Sequence, residues 1–176
     1  MSTAFYRRDA LDVAPDVLGK LLCRRLLDGT VLAHAITEVE VYRGEQDSAC
    51  HARAGRTRRT AVMYRPGGIA YVYLCYGIHH LLNLVTGPEG MPQAVLVRGL
   101  EPARGPGRLT KLMGVDLTLN GAPLDGSAGL WLADAVRPPP AVQRGPRVGI
   151  GYATPEDQAL PWRFTAVWRT ATSRQL

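Results

Sequence analysis

The sequence predicts a mixed α+β fold, an antiparallel sheet with helices at its periphery. Apolar, β-branched runs follow one another with only short turn signals between them, at residues 20–27, 30–42, 69–76, 78–85 and 94–98. Connections as short as Asp28-Gly29, or the turn at Gly77, can join antiparallel strands but not parallel ones. Helical signals are confined to residues 9–19 and about 108–114, so no βαβ alternation is present. A chain of 176 residues, 46% hydrophobic and 20% charged, suits a single domain over 1–176 with a real core.

Residues 9–19 read as an N-terminal helical piece, with Pro15 placed to open the first turn of a second one. Residues 20–27 and 30–42 form a hairpin around the two-residue turn Asp28-Gly29. Residues 44–68 are irregular and carry Arg53, Arg56, Arg58, Arg59 and Arg65; such a loop is either solvated or a phosphate track. The aromatic strand 69–76 places Tyr71 and Tyr73 on one face, with Tyr76 opposite them or at the tip. Gly77 then tightens the turn and pushes the Tyr76 ring outward. The return strand 78–85 carries His79, His80 and Asn83, residues 86–90 turn, and residues 94–98 form another buried strand. A Pro/Gly-rich connector at 101–107 leads to the second helix, and short strands are expected around 130–136, 147–152 and 162–167. The Pro-rich 137–140 is a stiff loop, too short to act as a linker between domains.

Twenty-one basic against fifteen acidic residues leave a net charge of +6, which favours a polyanionic partner. Lys20 and Lys111 are the only lysines, so the charge is nearly all Arg. Arg suits phosphate forks and stacking on bases, although a GC-rich genome enriches it too. Cys23, Cys50 and Cys75 show neither disulfide nor zinc spacing, which points to a reducing compartment and a cytoplasmic or nucleoid-associated protein. No run approaches a membrane span and no signal peptide opens the chain, so no membrane is expected.

The chemistry centres on residues 36–51. Period-2 geometry sends Glu38, Glu40 and Tyr42 to one face and Thr37, Val39 and Val41 to the other. A buried carboxylate must be paired, hydrogen-bonded or used. The loop beyond returns His51, so carboxylate, phenol and imidazole can converge; a solvent-facing strand side with a hydrogen-bonded loop His fits the pattern equally well. Other chemistries lack their motifs. His34, His51, His79 and His80 offer no metal spacing, and no nucleophile elbow, P-loop or dinucleotide fingerprint occurs. Cys50 reads as structural, because adjacent residues point apart and His51 cannot activate it. Tyr42, Tyr73 and His51 either pack as ordinary strand residues or wall a slot for a flat, cationic ring. An exposed Tyr76 flanked by Arg can wedge between base steps, and slot, wedge and carboxylate together describe a base-flipping enzyme.

At these residues the chain resembles the alkyladenine (3-methyladenine) DNA glycosylase family. The matching pieces are Glu38-Val39-Glu40-Val41-Tyr42 with Gly44, Asp47, Ala49 and His51, then Gly55-Arg56-Thr57 and Met63. They continue through Gly68, Ala70-Tyr71-Val72-Tyr73-Leu74, Tyr76-Gly77, Asn83, Val85-Thr86, and Ala94 to Pro102. Weaker matches fall at Gly105-Pro106-Gly107-Arg108-Leu109, Pro146 to Ile150 and Pro161 to Phe164.

The resemblance implies a curved antiparallel sheet with peripheral helices, a fold also similar to formyltransferase C-terminal domains. It implies a monomeric, cofactor-free, monofunctional glycosylase that removes alkylated purines, such as 3-methyladenine and 7-methylguanine, from damaged double-stranded DNA. Hypoxanthine and ethenoadenine are further candidate substrates. Glu40 would deprotonate the attacking water, with Arg98 and the Val148 carbonyl orienting it. Tyr42 and His51 would stack on the flipped base, Tyr73 would close a third wall, and Asn83 would hinder normal purines. Tyr76 would fill the gap in the duplex, and Met63 and Arg108 would line the DNA surface or touch its backbone. No lysine stands where a nucleophile would, so hydrolysis without strand cleavage is implied.

Two departures stand out. A longer charged helical segment common after Pro102 in the family is almost entirely absent, and Arg58-Arg59-Thr60 replaces a Pro-Arg-Asn run. Two competing readings are an inactive nucleic-acid-binding module of the same fold and a small-molecule enzyme sharing it. Intact Glu40, Tyr76 and Arg98 favour the glycosylase.

Overall fold

The computed structural model describes residues 1–168 and contains an eight-stranded antiparallel sheet with four short helices. The strands are β1 (Leu21–Arg25), β2 (Val31–Arg43), β3 (Ala70–Cys75), β4 (His79–Val85), β5 (Gln93–Leu100), β6 (Leu130–Ala133), β7 (Ala141–Gly145) and β8 (Arg163–Val167). The main path runs β3-β4-β5-β2-β1-β6, with β8 bonded to both β2 and β7.

The long strand β2 is the axis. Its first half pairs with β1 and its second half with β5, while Glu38–Glu40 also faces β8. The register against β5 shifts around Glu38. A bulge of this kind bends the strand and curls the sheet. The stretch carrying both carboxylates is therefore interior, hydrogen-bonded on both edges. Its opposite face sends Val39 and Val41 into the core, as alternation requires.

Helix α1 (Thr3–Tyr6) is a single turn that the sequence pattern does not announce; it buries Tyr6. Helix α2 (Ala10–Val17) is continuous, with Pro15 inside it near the C-terminal end and no second helix starting there. Pro15 removes one donor from the ladder of this short helix, the one that would bond four residues back to the Leu11 carbonyl. Asp9 caps α2 through the Leu11 amide, and Ala10, Val13, Ala14 and Val17 face β2 and β5. Helix α3 (Pro106–Leu112) lays Leu109 against the core, and Thr110 Oγ1 donates to the His80 carbonyl at 2.7 Å. Helix α4 (Pro155–Ala159) is a further addition to the expected elements, although its signals are local: Thr154 caps it, Pro155 occupies the first turn and two acids follow.

Two strand expectations change. The hairpin closes through three residues rather than two, 27–29, between Leu26 and Thr30: the Gly29 amide (φ 86°) donates to the Leu26 carbonyl, and Leu26 N–H donates to the Thr30 carbonyl. Residues 147–152 are a turn, not a strand, and the strand lies earlier at Ala141–Gly145. Gly149 is left-handed (φ 77°), and the Arg147 side chain and Val148 amide are engaged elsewhere. Strand β7 escapes sequence reading because it is a polar, exposed edge without alternation. The connector after β5 closes tightly, Leu100 N–H reaching Ala103 O and Gly105 N–H reaching Arg98 O, both at 2.9 Å.

Candidate active site

Glu40 is wholly buried, at 0% exposure, in the middle of β2. Three donors hold it: the Val148 amide on Oε1 at 2.7 Å, the Tyr42 hydroxyl on Oε2 at 3.0 Å, and Arg98 Nη1 on Oε2 at 3.3 Å. Arg98 Nε also donates to Glu38 Oε1 at 3.3 Å, and Arg163 reaches the same oxygen at 3.4 Å. Desolvation pushes the Glu40 pKa up, while Arg98, the Val148 amide and Tyr42 pull it back some of the way. The result is a carboxylate raised above its ordinary range and held in one orientation by its donors.

Beside it lies a narrow slot walled largely by aromatic side chains. Tyr42, His51 and Tyr73 line it together with Asn83, which donates Nδ2 to the Tyr71 carbonyl at 3.1 Å. The His51 ring meets Tyr73 edge-on, with centroids 4.6 Å apart. Its Nε2 lies 3.3 Å from Arg59, which can only donate, so Nδ1 carries the proton and donates to Tyr71 Oη at 2.9 Å. Burial, with Arg59 and Arg53 nearby, pulls the His51 pKa down to about 4. The imidazole is neutral at pH 7. Cys50 is buried with its thiol pushed up to about 12, an inert neighbour as the sequence suggested.

Met63 is the expectation that geometry overturns. It is 2% exposed and lines the slot, held inward by the 3₁₀ turn Ala61–Tyr64, and does not lie on a DNA-facing surface. Arg108 is exposed on α3. From the slot mouth a cleft with about 1200 Å³ of open space runs past Arg98 and Val148 to the β3–β4 tip. There Tyr76 is 91% exposed with φ 50°, a left-handed conformation rare for a non-glycine residue. Arg53 and Arg59 line the cleft, and Arg53, Arg56, Arg58 and Arg59 are all exposed.

The family model described as Methylpurine-DNA glycosylase (MPG) matches residues 4–168. The chain belongs to that family. A DNA-3-methyladenine glycosylase from Arabidopsis thaliana is 41% identical over 199 aligned residues, covering 100% of this chain and 76% of its own. A protein from Nitrosococcus oceani, provisionally named a 3-methyladenine DNA glycosylase, is 46% identical, covering 91% of this chain and 86% of its own. One from Anaeromyxobacter dehalogenans with the same provisional name is 49% identical over 92% and 80%. The protein is accordingly a DNA glycosylase, a hydrolase of N-glycosyl bonds that acts on damaged DNA in base-excision repair. Among the described residues no helix is long and apolar enough to cross a membrane.

The candidate site includes residues that the sequence pattern did not assign. Tyr71 orients His51 and stands 5.5 Å from Tyr73, centroid to centroid. Tyr152 closes the remaining wall, its hydroxyl donating to Ala49 O at 2.9 Å and its ring facing Arg53. Tyr71 had a signal, since it shares a strand face with Tyr73. Tyr152 had none, because it reaches the slot across 103 positions.

Proposed function

We propose that this glycosylase flips alkylated purines, 3-methyladenine and 7-methylguanine first, out of duplex DNA and hydrolyses their glycosidic bonds. Hypoxanthine and ethenoadenine are further candidates. The observation that carries the reading is the buried Glu40, held by the Val148 amide, Tyr42 and Arg98 beside an aromatic slot.

An N-alkylated purine is cationic, so it leaves readily and sits well between Tyr42 and His51, with Tyr73 beside them. The neutral His51 suits this guest, because an imidazolium would repel it. As the bond stretches, the sugar takes on oxocarbenium character, and the Glu40 carboxylate stabilises that charge while taking a proton from the attacking water. Arg98 and the Val148 carbonyl orient the water. Asn83, fixed on the Tyr71 carbonyl, stands against the exocyclic amino groups of normal purines. Tyr76 occupies the gap in the stack, and Arg108 meets the DNA backbone.

Hydrolysis without strand cleavage is supported by the lysines: Lys20 is paired with Asp134 and Lys111 lies in the last turn of α3, so neither borders the slot. We read 1–176 as one glycosylase domain working as a monomer in the cytoplasm, at the nucleoid when bound to DNA. Its fold is similar to formyltransferase C-terminal domains.

Single-turnover base release from duplexes containing 7-methylguanine or hypoxanthine tests the proposal, with Glu40→Gln alongside. Wild type should release base, and the variant should bind the lesion yet lose roughly 10²- to 10⁴-fold in rate. Tight binding with no release by wild type would replace the glycosylase reading with that of a binding module.

A further inference from the structure

The most deeply buried ion pair among the described residues does not involve Glu40. Asp47 and Arg147 are 3% and 5% exposed and meet as a fork, Nη1 donating to Oδ2 at 2.6 Å and Nη2 to Oδ1 at 2.9 Å. Nη1 also donates to Val41 O at 2.9 Å and Nη2 to Asp157 O at 3.3 Å. The guanidinium lies between the rings of Tyr42 and Trp162, 5.0 Å from each centroid. Burying such a pair is costly, and apolar residues of similar volume often stabilise a fold as well. Stability alone does not account for it.

What the pair touches does. Asp47 opens the turn that delivers His51: its Oδ1 accepts from the Ala49 amide at 3.0 Å and its carbonyl from the Cys50 amide at 2.9 Å. Its Oδ2 also accepts from the Arg43 amide, at the end of β2. Arg147 backs the Tyr42 ring and grips the Val41 carbonyl, and the next residue, Val148, places its amide on Glu40. One fork thus joins the three chain segments that supply Glu40 with Tyr42, His51, and the Val148 amide.

We propose that Asp47 and Arg147 are positioning residues for glycosidic hydrolysis, their fork setting the Val148 amide on Glu40 and the Tyr42 ring against the His51 loop. The inference rests on the reading of Glu40 as the base. Glu40 is faced by Glu38 and Tyr42 from its own strand, by Arg98 from β5 and by Val148 from the turn after β7; Arg163 on β8 reaches Glu38. Of these, Val148 is the contact adjacent in sequence to the fork.

Arg147→Lys keeps the charge and loses the fork. Per active molecule, counted by burst amplitude, single-turnover release from 7-methylguanine duplexes should fall roughly 10- to 100-fold, the scale of a small misplacement. Affinity for the same duplex should stay close to wild type. The acidic limb of the rate profile should move to higher pH, because a weakened hydrogen bond to the charged carboxylate raises its pKa. Added to Glu40→Gln, Arg147→Lys should cost nothing further, since the two act as one unit. Asp47→Asn, which removes the charge and keeps the shape, should reproduce the rate loss and the limb shift if the Lys variant folds poorly.

A lower melting temperature with unchanged rate per active molecule and an unmoved acidic limb, in either variant, would overturn the proposal. Base release by Glu40→Gln at the wild-type rate would instead overturn the reading of Glu40 on which it rests.

Discussion

The Val148 amide donates to Glu40 Oε1 at 2.7 Å although 108 positions separate the two residues. Burial raises the carboxyl's pKa, and this amide is among the groups that limit the rise. Glu40 must be ionised to take a proton from water, so the single-turnover rate should climb as pH rises through the elevated pKa and then level. The checking measurement is the rate from pH 4 to 8 on a 7-methylguanine duplex, whose leaving base is already cationic. An acidic limb at or below the ordinary carboxylate range would contradict the assignment.

His51 yields a second pH prediction. With its pKa held near 4, the folded protein stays unprotonated there while the unfolded chain takes up a proton near 6.5. Its stabilising contribution is complete above the unfolded value and is lost as pH falls from about 6.5 to about 4. Imidazole resonances of His51 should hold their neutral shifts until about pH 4, and His51→Gln should flatten the fall in stability across that window. A His51 midpoint near 6.5 would refute both expectations.

Tyr76 trades stability for its exposed position. Its left-handed backbone costs a bulky residue about 1 kcal/mol or more, whereas Asn before Gly77 fits such a turn. Tyr76→Asn should therefore raise stability by about 1 kcal/mol in urea titrations while slowing excision of a well-paired lesion. Slower excision should not extend equally to a mispaired lesion, where less stacking has to be broken. An unchanged rate on the paired lesion would argue against the wedge.

Arg108 lies exposed on α3, away from the slot. If it meets a phosphate, Arg108→Ala should weaken binding to every duplex alike and lower the log–log salt slope by about 1. The single-turnover rate at saturating enzyme should not move. Titrations of fluorescent duplexes across salt concentrations decide this, and a variant with an unaltered slope would remove Arg108 from the interface.

The sequence alone determined much of this molecule where the signal is local. Alternation along β2 placed Glu38, Glu40 and Tyr42 on one face, and the Tyr76-Gly77 turn put an aromatic ring at a hairpin tip, because strand period and turn chemistry act over a few residues. The same reasoning failed where local pattern and tertiary demand diverge. Residues 147–152 look like a strand but form a turn, because Arg147 is needed by Asp47 and the Val148 amide by Glu40. Met63, expected on the surface, is drawn under the slot by the turn that carries it. Only the tertiary structure decided that Asp47 meets Arg147, that Tyr152 lines the slot and that Glu40 is buried. Those contacts exist because β8, with β7 on its outer edge, returns to pair with β2 after most of the chain has passed, and no spacing rule in a linear sequence encodes a meeting across a hundred residues.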